Sequence, residues 1–250
     1  MRRPRRALWA MVDVTGSRFV DNCSAMTAVH QLRLGRMSLP QSHPRAAEQI
    51  CEICCYVIDH PDGLIVVDTG PRAGHPLIDE LYAPEVAVIT SVLAAAGFDE
   101  RDVAAVVNTH LHFDHCGQNH LLGHAPVWVT EAELRVSTTE RYTVSEWAHI
   151  EPSRLRLAAD GELIADGVRV LHTPGHSPGH LSVAAQTERG LEIVVGQACY
   201  SCAEFAAATT TADDMHDSAW HSVGLESVAR LRSLNPARAH FSHDPQAFEA

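Results

Sequence analysis

The stretch Val103-Ala104-Ala105-Val106-Val107-Asn108-Thr109-His110-Leu111-His112-Phe113-Asp114-His115 runs without a break from an apolar strand into a dense set of metal-ligating side chains. In an extended segment residues i and i+2 point to the same side, so His110 and His112 can converge on one cation. Asp114 and His115 follow where the chain must turn, and they can present a second pair of ligands. Zinc accepts imidazole nitrogen and carboxylate oxygen, and a catalytic zinc needs three protein ligands plus an open position for water. A histidine-rich surface loop explains four such spaced ligands poorly. His120 and His124, also spaced i and i+4, lack the glutamate of an HExxH helix and read as surface or packing residues.

Further ligands must come from other strand ends. His176 sits in His172-Thr173-Pro174-Gly175-His176-Ser177-Pro178-Gly179-His180, directly after an expected strand, where two Pro-Gly steps force a rigid turn. His243, in Phe241-Ser242-His243-Asp244-Pro245, lies just past the last expected strand in an equivalent position. Loops held by a scaffold are where sites usually form. His180 reads as structural.

Around these motifs the pattern predicts strands over Ala28–Leu34, Cys51–Ile58 and Leu64–Asp68, joined as a β-meander through the turn His60-Pro61-Asp62-Gly63. A helix is expected over Pro84–Ala96, with proline at its start and Gly97 past its end. Val103–Asn108 reads as a strand buried on both faces. The second half repeats the style. Pro126–Val129 is a strand and Glu131–Val136 a short helix, and a hairpin joins Glu162–Ala165 to Val168–Leu171 across Asp166-Gly167. Leu181–Ala185 and Leu191–Val195 follow as strands, then Ser222–Leu234 as a helix and Ala237–Phe241 as a strand. Ala203–His221 is polar and weakly patterned, which suits a lid carrying His216 and His221. Two blocks of strands with helices imply two sheets packed together with helices outside.

Composition bounds the reading. A chain of 250 residues, 46% hydrophobic and 20% charged, can bury roughly 70–75% of its unfolded surface in one core. No run approaches the ~18 apolar residues that cross a bilayer. Against 19 basic side chains stand 31 acidic ones, a net charge of -12 that disfavours nucleic acid and points to a small neutral or cationic partner. Seven cysteines, an odd and scattered set, do not form a disulfide framework. The Cys51-x-x-Cys54-Cys55 group reads as ordinary buried thiols in a reducing cytosol. The start, MRRPRRALWAMVD, has four arginines and then an apolar run too short for a secretory signal, so a cytoplasmic protein with a basic N-terminal extension over 1–26 is expected.

Taken in order, Asp68 in VVDTG, the 110–115 motif, His176 in TPGHSPGH and His243 in SHD resemble the metallo-β-lactamase superfamily over residues 27–250. The resemblance implies a four-layer αββα sandwich of two mixed β-sheets with outer helices. It also implies that His110, His112 and His176 hold one metal while Asp114, His115 and His243 hold the other, with zinc at one or two ions per chain. Asp68 would orient a ligating imidazole rather than bind metal itself. Chain length, the wording HLHFDH and a tyrosine in the right place make the sequence most similar to N-acyl-homoserine lactonases, which are quorum-quenching enzymes. In those enzymes an aspartate bridges both metals, in a stretch that falls here on Gly196-Gln197-Ala198-Cys199-Tyr200. Gln197 stands where the aspartate is expected, and Tyr200 keeps its place. A neutral amide can lend only its carbonyl oxygen to one of the two ions, so the second should bind more weakly; Cys199 is expected to be a buried thiol rather than a substitute ligand.

The resemblance implies hydrolysis of a lactone, with Asp114 handling protons and Tyr200 donating to the carbonyl oxygen. The partner is a small lactone or ester held in a cleft lined by Met37, Leu39 and the lid. Neither nucleic acid nor membrane is a partner, and the oligomeric state is left open, a homodimer included. Two other readings stand beside it. One is a thioesterase of the glyoxalase II type or a broad esterase on the same scaffold. The other is a metal-binding protein with little turnover because Gln197 has removed the bridge.

Overall fold

Strands β1 (Ala28–Ser38), β2 (Ile50–His60) and β3 (Gly63–Val67) form the expected antiparallel meander. The computed structural model describes residues 27–211 and 218–250; the proposed extension over 1–26, Cys23 and His216 lie outside the described residues. After β3 come α1 (Pro76–Tyr82), the two-residue strand β4 (Glu85–Val86), α2 (Ile89–Ala95), β5 (Val103–Val107), the single turn α3 (Phe113–Cys116), β6 (Val127–Val129), α4 (Glu131–Val136), α5 (Ser145–Ala148) and β7 (Leu155–Leu157). The second block is β8 (Leu163–Ala165), β9 (Val168–His172), β10 (Leu181–Thr187), β11 (Gly190–Gly196), α6 (Cys202–Ala207), α7 (Ser218–Ser233), β12 (Arg238–Phe241) and β13 (Asp244–Glu249). Two mixed sheets result, ordered β4-β1-β2-β3-β5-β6-β7 and β13-β12-β11-β10-β9-β8.

The period-2 rule explains why these strands are apolar on both sides. Cys54, Tyr56, Ile58, Val67 and Val107 face the second sheet and meet Val170, Leu181, Val183 and Val194. Their alternates Cys55, Val57, Val66 and Val106 face outward and lie under Ile89 and Leu93 of α2. On the far side, Ile193 and Val195 are covered by Phe205 of α6 and by Val228 and Leu231 of α7. Each such side chain, fully buried, contributes about 1.5–3 kcal/mol. The layers are therefore helix, sheet, sheet, helix.

Strand direction gathers the loops of interest. β3 and β5 are parallel, and so are β11 and β12; β9 shares their direction because it is antiparallel to β10, itself antiparallel to β11. Cross-sheet bonds from Leu181 N–H to the Thr109 carbonyl (2.8 Å) and from Cys54 N–H to the Ser242 carbonyl (2.9 Å) bring these strand ends to one edge.

Two expectations need correction. The helix predicted over Pro84–Ala96 begins only at Ile89. Glu85 and Val86 instead pair with β1 at Arg36 and Gly35, and a Cβ on Gly35 would sit 2.0 Å from the Glu85 carbonyl oxygen, so glycine there admits the extra strand. The helix-opening proline is Pro76, at the start of the unpredicted α1, which ends where Ala83 turns left-handed. Of the lid expected over Ala203–His221, residues 212–217 lie outside the described residues, and both ends are helical. Residues 203–207 belong to α6 and bury Phe205, while α7 starts four residues before the expected Ser222. Strands β4, β7 and β13 carried no recognisable pattern. Cys51, Cys54, Cys55, Cys116 and Cys199 are free and buried as expected, and burial pushes the Cys54 thiol up to about 12. Among the described residues no helix is long and apolar enough to cross a membrane.

Candidate metal centre

After β5 the chain bends at Thr109 and again at His112 before turning into α3, and the four motif side chains divide into two groups. Asp68, one residue past β3, organises both. Its carboxylate accepts the Thr109 N–H (2.8 Å), the Thr109 hydroxyl (2.8 Å) and His115 Nδ1–H (2.8 Å). Asp68 holds a left-handed backbone (φ 61°), a conformation that costs a non-glycine residue about 1–3 kcal/mol and that these three bonds offset. Thr109 Oγ1 in turn lies 3.1 Å from His110 Nδ1. With the hydroxyl proton committed to Asp68, His110 must donate from Nδ1, which leaves a lone pair on Nε2.

In the first group, His112 Nδ1 lies 3.0 Å from both His110 Nε2 and His176 Nε2. Zinc–nitrogen bonds of about 2.0–2.1 Å in a tetrahedron place nitrogen pairs roughly 3.3 Å apart, so these three imidazoles fit one ion. His176 is presented by the turn after β9. There a Cβ on Gly175, whose φ is 151°, would lie 2.4 Å from Gly224 Cα, so the turn is pressed against α7.

In the second group, Asp114 Oδ2 is 3.5 Å from His115 Nε2 and 3.5 Å from His243 Nε2. Gln197 Oε1 lies 3.0 Å from His115 Nε2. His115 donates from Nδ1 to Asp68, and His243 from Nδ1 to the Glu52 carbonyl (2.8 Å), so both Nε2 atoms face the Asp114 carboxylate and the Gln197 carbonyl. Around a cation both Nε2 atoms would serve as acceptors; in its absence the His115 Nε2–H donates to Gln197 Oε1 and faces Asp114. Burial would push His115 down, yet the carboxylates of Asp114 and Asp68 raise it to about 10. Burial would likewise raise Asp114, but His115 and His243 beside it hold its carboxyl well below the usual range. Burial lowers His243 to about 4 and carries His110 well below its ordinary value. In each group the ligand atoms all lie within 4.8 Å of one another, and the His110 and His115 rings are 4.0 Å apart. The donor sets fit divalent metal.

Tyr200 is buried, stacks on His243 with ring centroids 5.8 Å apart, and lies beneath the Arg45 guanidinium at 4.6 Å. Cys199 turns away, its thiol near the Ser201 carbonyl and pushed up by burial, and belongs to neither group. His180 is structural as read, accepting the Gln197 N–H at 3.0 Å. His120 and His124 are exposed.

Both groups open onto one cleft of about 700 Å³. Met37 lines it as expected, whereas Leu39 and His221 are not among its lining residues. Its walls come from the loop carrying His43, from α1 (Leu77, Ile78, Leu81) and from the 141–146 segment. Sequence reasoning missed Glu133, a fully buried carboxylate on α4 behind the three histidines. Its one signal was Thr130-x-x-Glu133, which reads as an ordinary capping box.

The sequence model of the metallo-beta-lactamase superfamily matches residues 51–191. An N-acyl homoserine lactonase of Bacillus cereus is 27% identical over 196 residues, 73% of this chain and 76% of that protein. A solved quorum-quenching N-acyl homoserine lactone lactonase is 26% identical, with a TM-score of 0.73 over 88% of this chain and 93% of that one. A dizinc quorum-quenching lactonase in complex with its product, N-hexanoyl-L-homoserine, shares the fold at 16% identity, with a TM-score of 0.67 over 87% of each chain.

Proposed function

The chain belongs to the metallo-beta-lactamase superfamily, and on that premise we propose that it is a metal-dependent hydrolase, with zinc as its ion, that opens the ring of N-acyl homoserine lactones. The observation that carries the reading is the meeting of both ligand groups with Tyr200 at one cleft that α1 lines with Leu77, Ile78 and Leu81. A volume of about 700 Å³ falls in the range that encloses a small ligand with a tail. His110, His112 and His176 would hold one ion, and Asp114, His115 and His243 the other, with Gln197 lending a carbonyl oxygen.

Bound there, a divalent cation supplies Lewis acidity, which can lower the pKa of a water toward ~7. The chain's own groups then have defined tasks. Asp114, ionised throughout the neutral range, accepts a proton from the attacking water. Tyr200 donates its phenol hydrogen toward the carbonyl oxygen as negative charge builds there. The ring C–O bond breaks as the new C–O bond settles, Asp114 passes the proton to the departing alkoxide, and the resulting carboxylic acid loses its own proton to solvent, leaving a carboxylate and an alcohol. Leu77, Ile78 and Leu81 offer apolar surface to an acyl chain.

A thioesterase acting on an anionic carrier would want an uncommitted cation at the cleft. Arg45, beside Tyr200, is paired with Glu48 at 2.5 Å and with Glu204 at 3.6 Å, but Arg141 on the cleft wall is exposed with Glu140 no nearer than 3.8 Å, so the comparison of substrates decides between the two readings. The test compares ring-opening of acyl homoserine lactones with hydrolysis of thioesters by the purified protein, before and after chelation and after zinc is restored. Lactone turnover that disappears and returns supports the reading; full activity after stripping, or thioester turnover alone, overturns it. Zinc bound with no ester hydrolysed would favour the metal-binding protein instead.

A further inference from the structure

We infer that Glu133 is a positioning residue for the three-histidine group, one carboxylate that fixes the two loops carrying His110, His112 and His176. The inference deepens the proposed metal chemistry and rests on it for its consequence, although the contacts stand by themselves. Glu133 reaches each histidine through one neighbouring group. Oε1 accepts the N–H of the peptide joining His110 to Leu111, at 2.8 Å. Oε1 also accepts the Tyr142 hydroxyl, and the Tyr142 ring lies against His112 with centroids 4.5 Å apart. Oε2 accepts the hydroxyl of Ser177, the neighbour of His176, at 2.7 Å.

The carboxylate is itself held in place. Thr130 caps α4 by accepting the Glu133 N–H (3.1 Å) and donates its hydroxyl to the Gly179 carbonyl (2.7 Å). A Cβ on Gly179 would lie 2.1 Å from the Glu133 nitrogen, so the first turn of α4 sits directly on the His176 turn. Glu133 is fully buried, and among the described residues no lysine, arginine or histidine forms an ion pair with it. A buried carboxylate supported only by neutral donors is costly unless positive charge stands nearby. The first group consists of three imidazoles and no carboxylate, so a dication held there would draw compensating charge from Glu133, beside that of Asp68 behind Thr109. Outer groups that orient ligands typically alter metal affinity 10–100-fold, and Glu133 acts through the neighbours of the three histidines.

The experiment challenges the zinc-loaded full chain with a chromophoric chelator, comparing wild type, Glu133→Gln and Ser177→Ala, with circular dichroism to verify folding. Gln keeps the shape and one acceptor oxygen but loses the charge; Ala removes one of the three contacts. In Glu133→Gln the tighter zinc constant should weaken by roughly 10–100-fold, and in Ser177→Ala by less, while the weaker constant stays put. Wild-type constants in the folded variants would overturn the inference and leave Glu133 a plain hydrogen-bonding hub of the core. Should Glu133→Gln fail to fold, Ser177→Ala decides by the same two outcomes. Failure of the wild-type chain to take up zinc would remove the inference together with the site. A wild type that binds zinc yet opens no lactone would sink the proposed activity and leave this measurement standing.

Discussion

Gln197 lays its carbonyl oxygen 3.0 Å from His115 Nε2, beside the second ligand group, and the His115 ring is 4.0 Å from that of His110 in the first. Two dications at the ~3.5–4 Å spacing of binuclear centres repel each other four times as strongly as two unit charges, which at 4 Å and an effective dielectric of 20 interact by about 4 kcal/mol. A carboxylate between them would offset much of this; the Gln197 carbonyl offers only a dipole. The expected zinc titration therefore has one tight and one weaker step, and Gln197→Asp should tighten the weaker step by about tenfold or more, as one added charge at close range requires. Two equal steps in the wild-type chain would refute the argument. Tyr200 makes a separate prediction. Tyr200→Phe keeps the ring that stacks on His243 and removes only the hydroxyl, so kcat on a lactone should fall by roughly 10²-fold with KM and zinc content little changed, as for loss of one oxyanion donor. An unchanged kcat would reduce Tyr200 to a packed aromatic.

At the scale of elements, α1 and the 141–146 segment give the cleft its character. Leu77 and Leu81 lie one turn apart on α1, 55% and 43% exposed, an outlay of apolar surface that suits a ligand's tail. Replacing both with serine should lower kcat/KM for a decanoyl substrate roughly tenfold more than for a butanoyl one, since each methylene left in water forfeits about 0.8 kcal/mol. Equal losses for both chain lengths would place the tail elsewhere. The loops also fix how the metal-free chain responds to pH. Burial holds His180 and His110 well below their ordinary values, so as pH falls below ~6.5 the unfolded chain binds protons that these folded imidazoles refuse, and stability drops. His115, raised to about 10, acts the other way: its contribution is complete below ~6.5 and is lost as pH climbs toward 10. The urea midpoint of chelator-treated protein should therefore peak near neutrality and fall on both sides, and a profile flat from pH 5 to 9 would contradict this. The ligand-bearing loops were legible because chemistry concentrates in them: His110 and His112 stand two apart just past a strand, and His176 sits between two Pro-Gly steps. The cleft walls were not. α1 has seven residues, too few to show a period, and Glu85–Val86 became a strand through an approach that only Gly35, far away in sequence, permits. Glu133 was hidden by an adequate local explanation, since a glutamate three residues after Thr130 needs no tertiary partner to make sense.

For the molecule as a whole, the metal centre lies where the two sheets meet. Ligands 110–115 follow a strand of the first sheet, while His176 and His243 follow strands of the second, so each group draws on both sheets. The edge is already tied by backbone bonds such as Leu181 to Thr109 and by Tyr56 Oη donating to the Phe241 carbonyl at 2.7 Å, which is why the apo chain can hold its ligands in place. In the unfolded chain the same ligands lie up to 133 residues apart, as the numbers 110 and 243 require, and do not form the site. Zinc held there would bind the native state preferentially and stabilise it by mass action. At a thousandfold excess over the dissociation constant the gain is about 4 kcal/mol, which for a chain of this size raises the thermal midpoint by roughly 8–16 °C. Scanning calorimetry of the zinc-loaded and chelated chain should show that difference. His243→Ala should abolish part of it, because it uncouples the second sheet from the weaker site, and His124→Ala, on an exposed residue, should abolish none. Identical midpoints with and without zinc would mean that the two sheets do not close around a common ion.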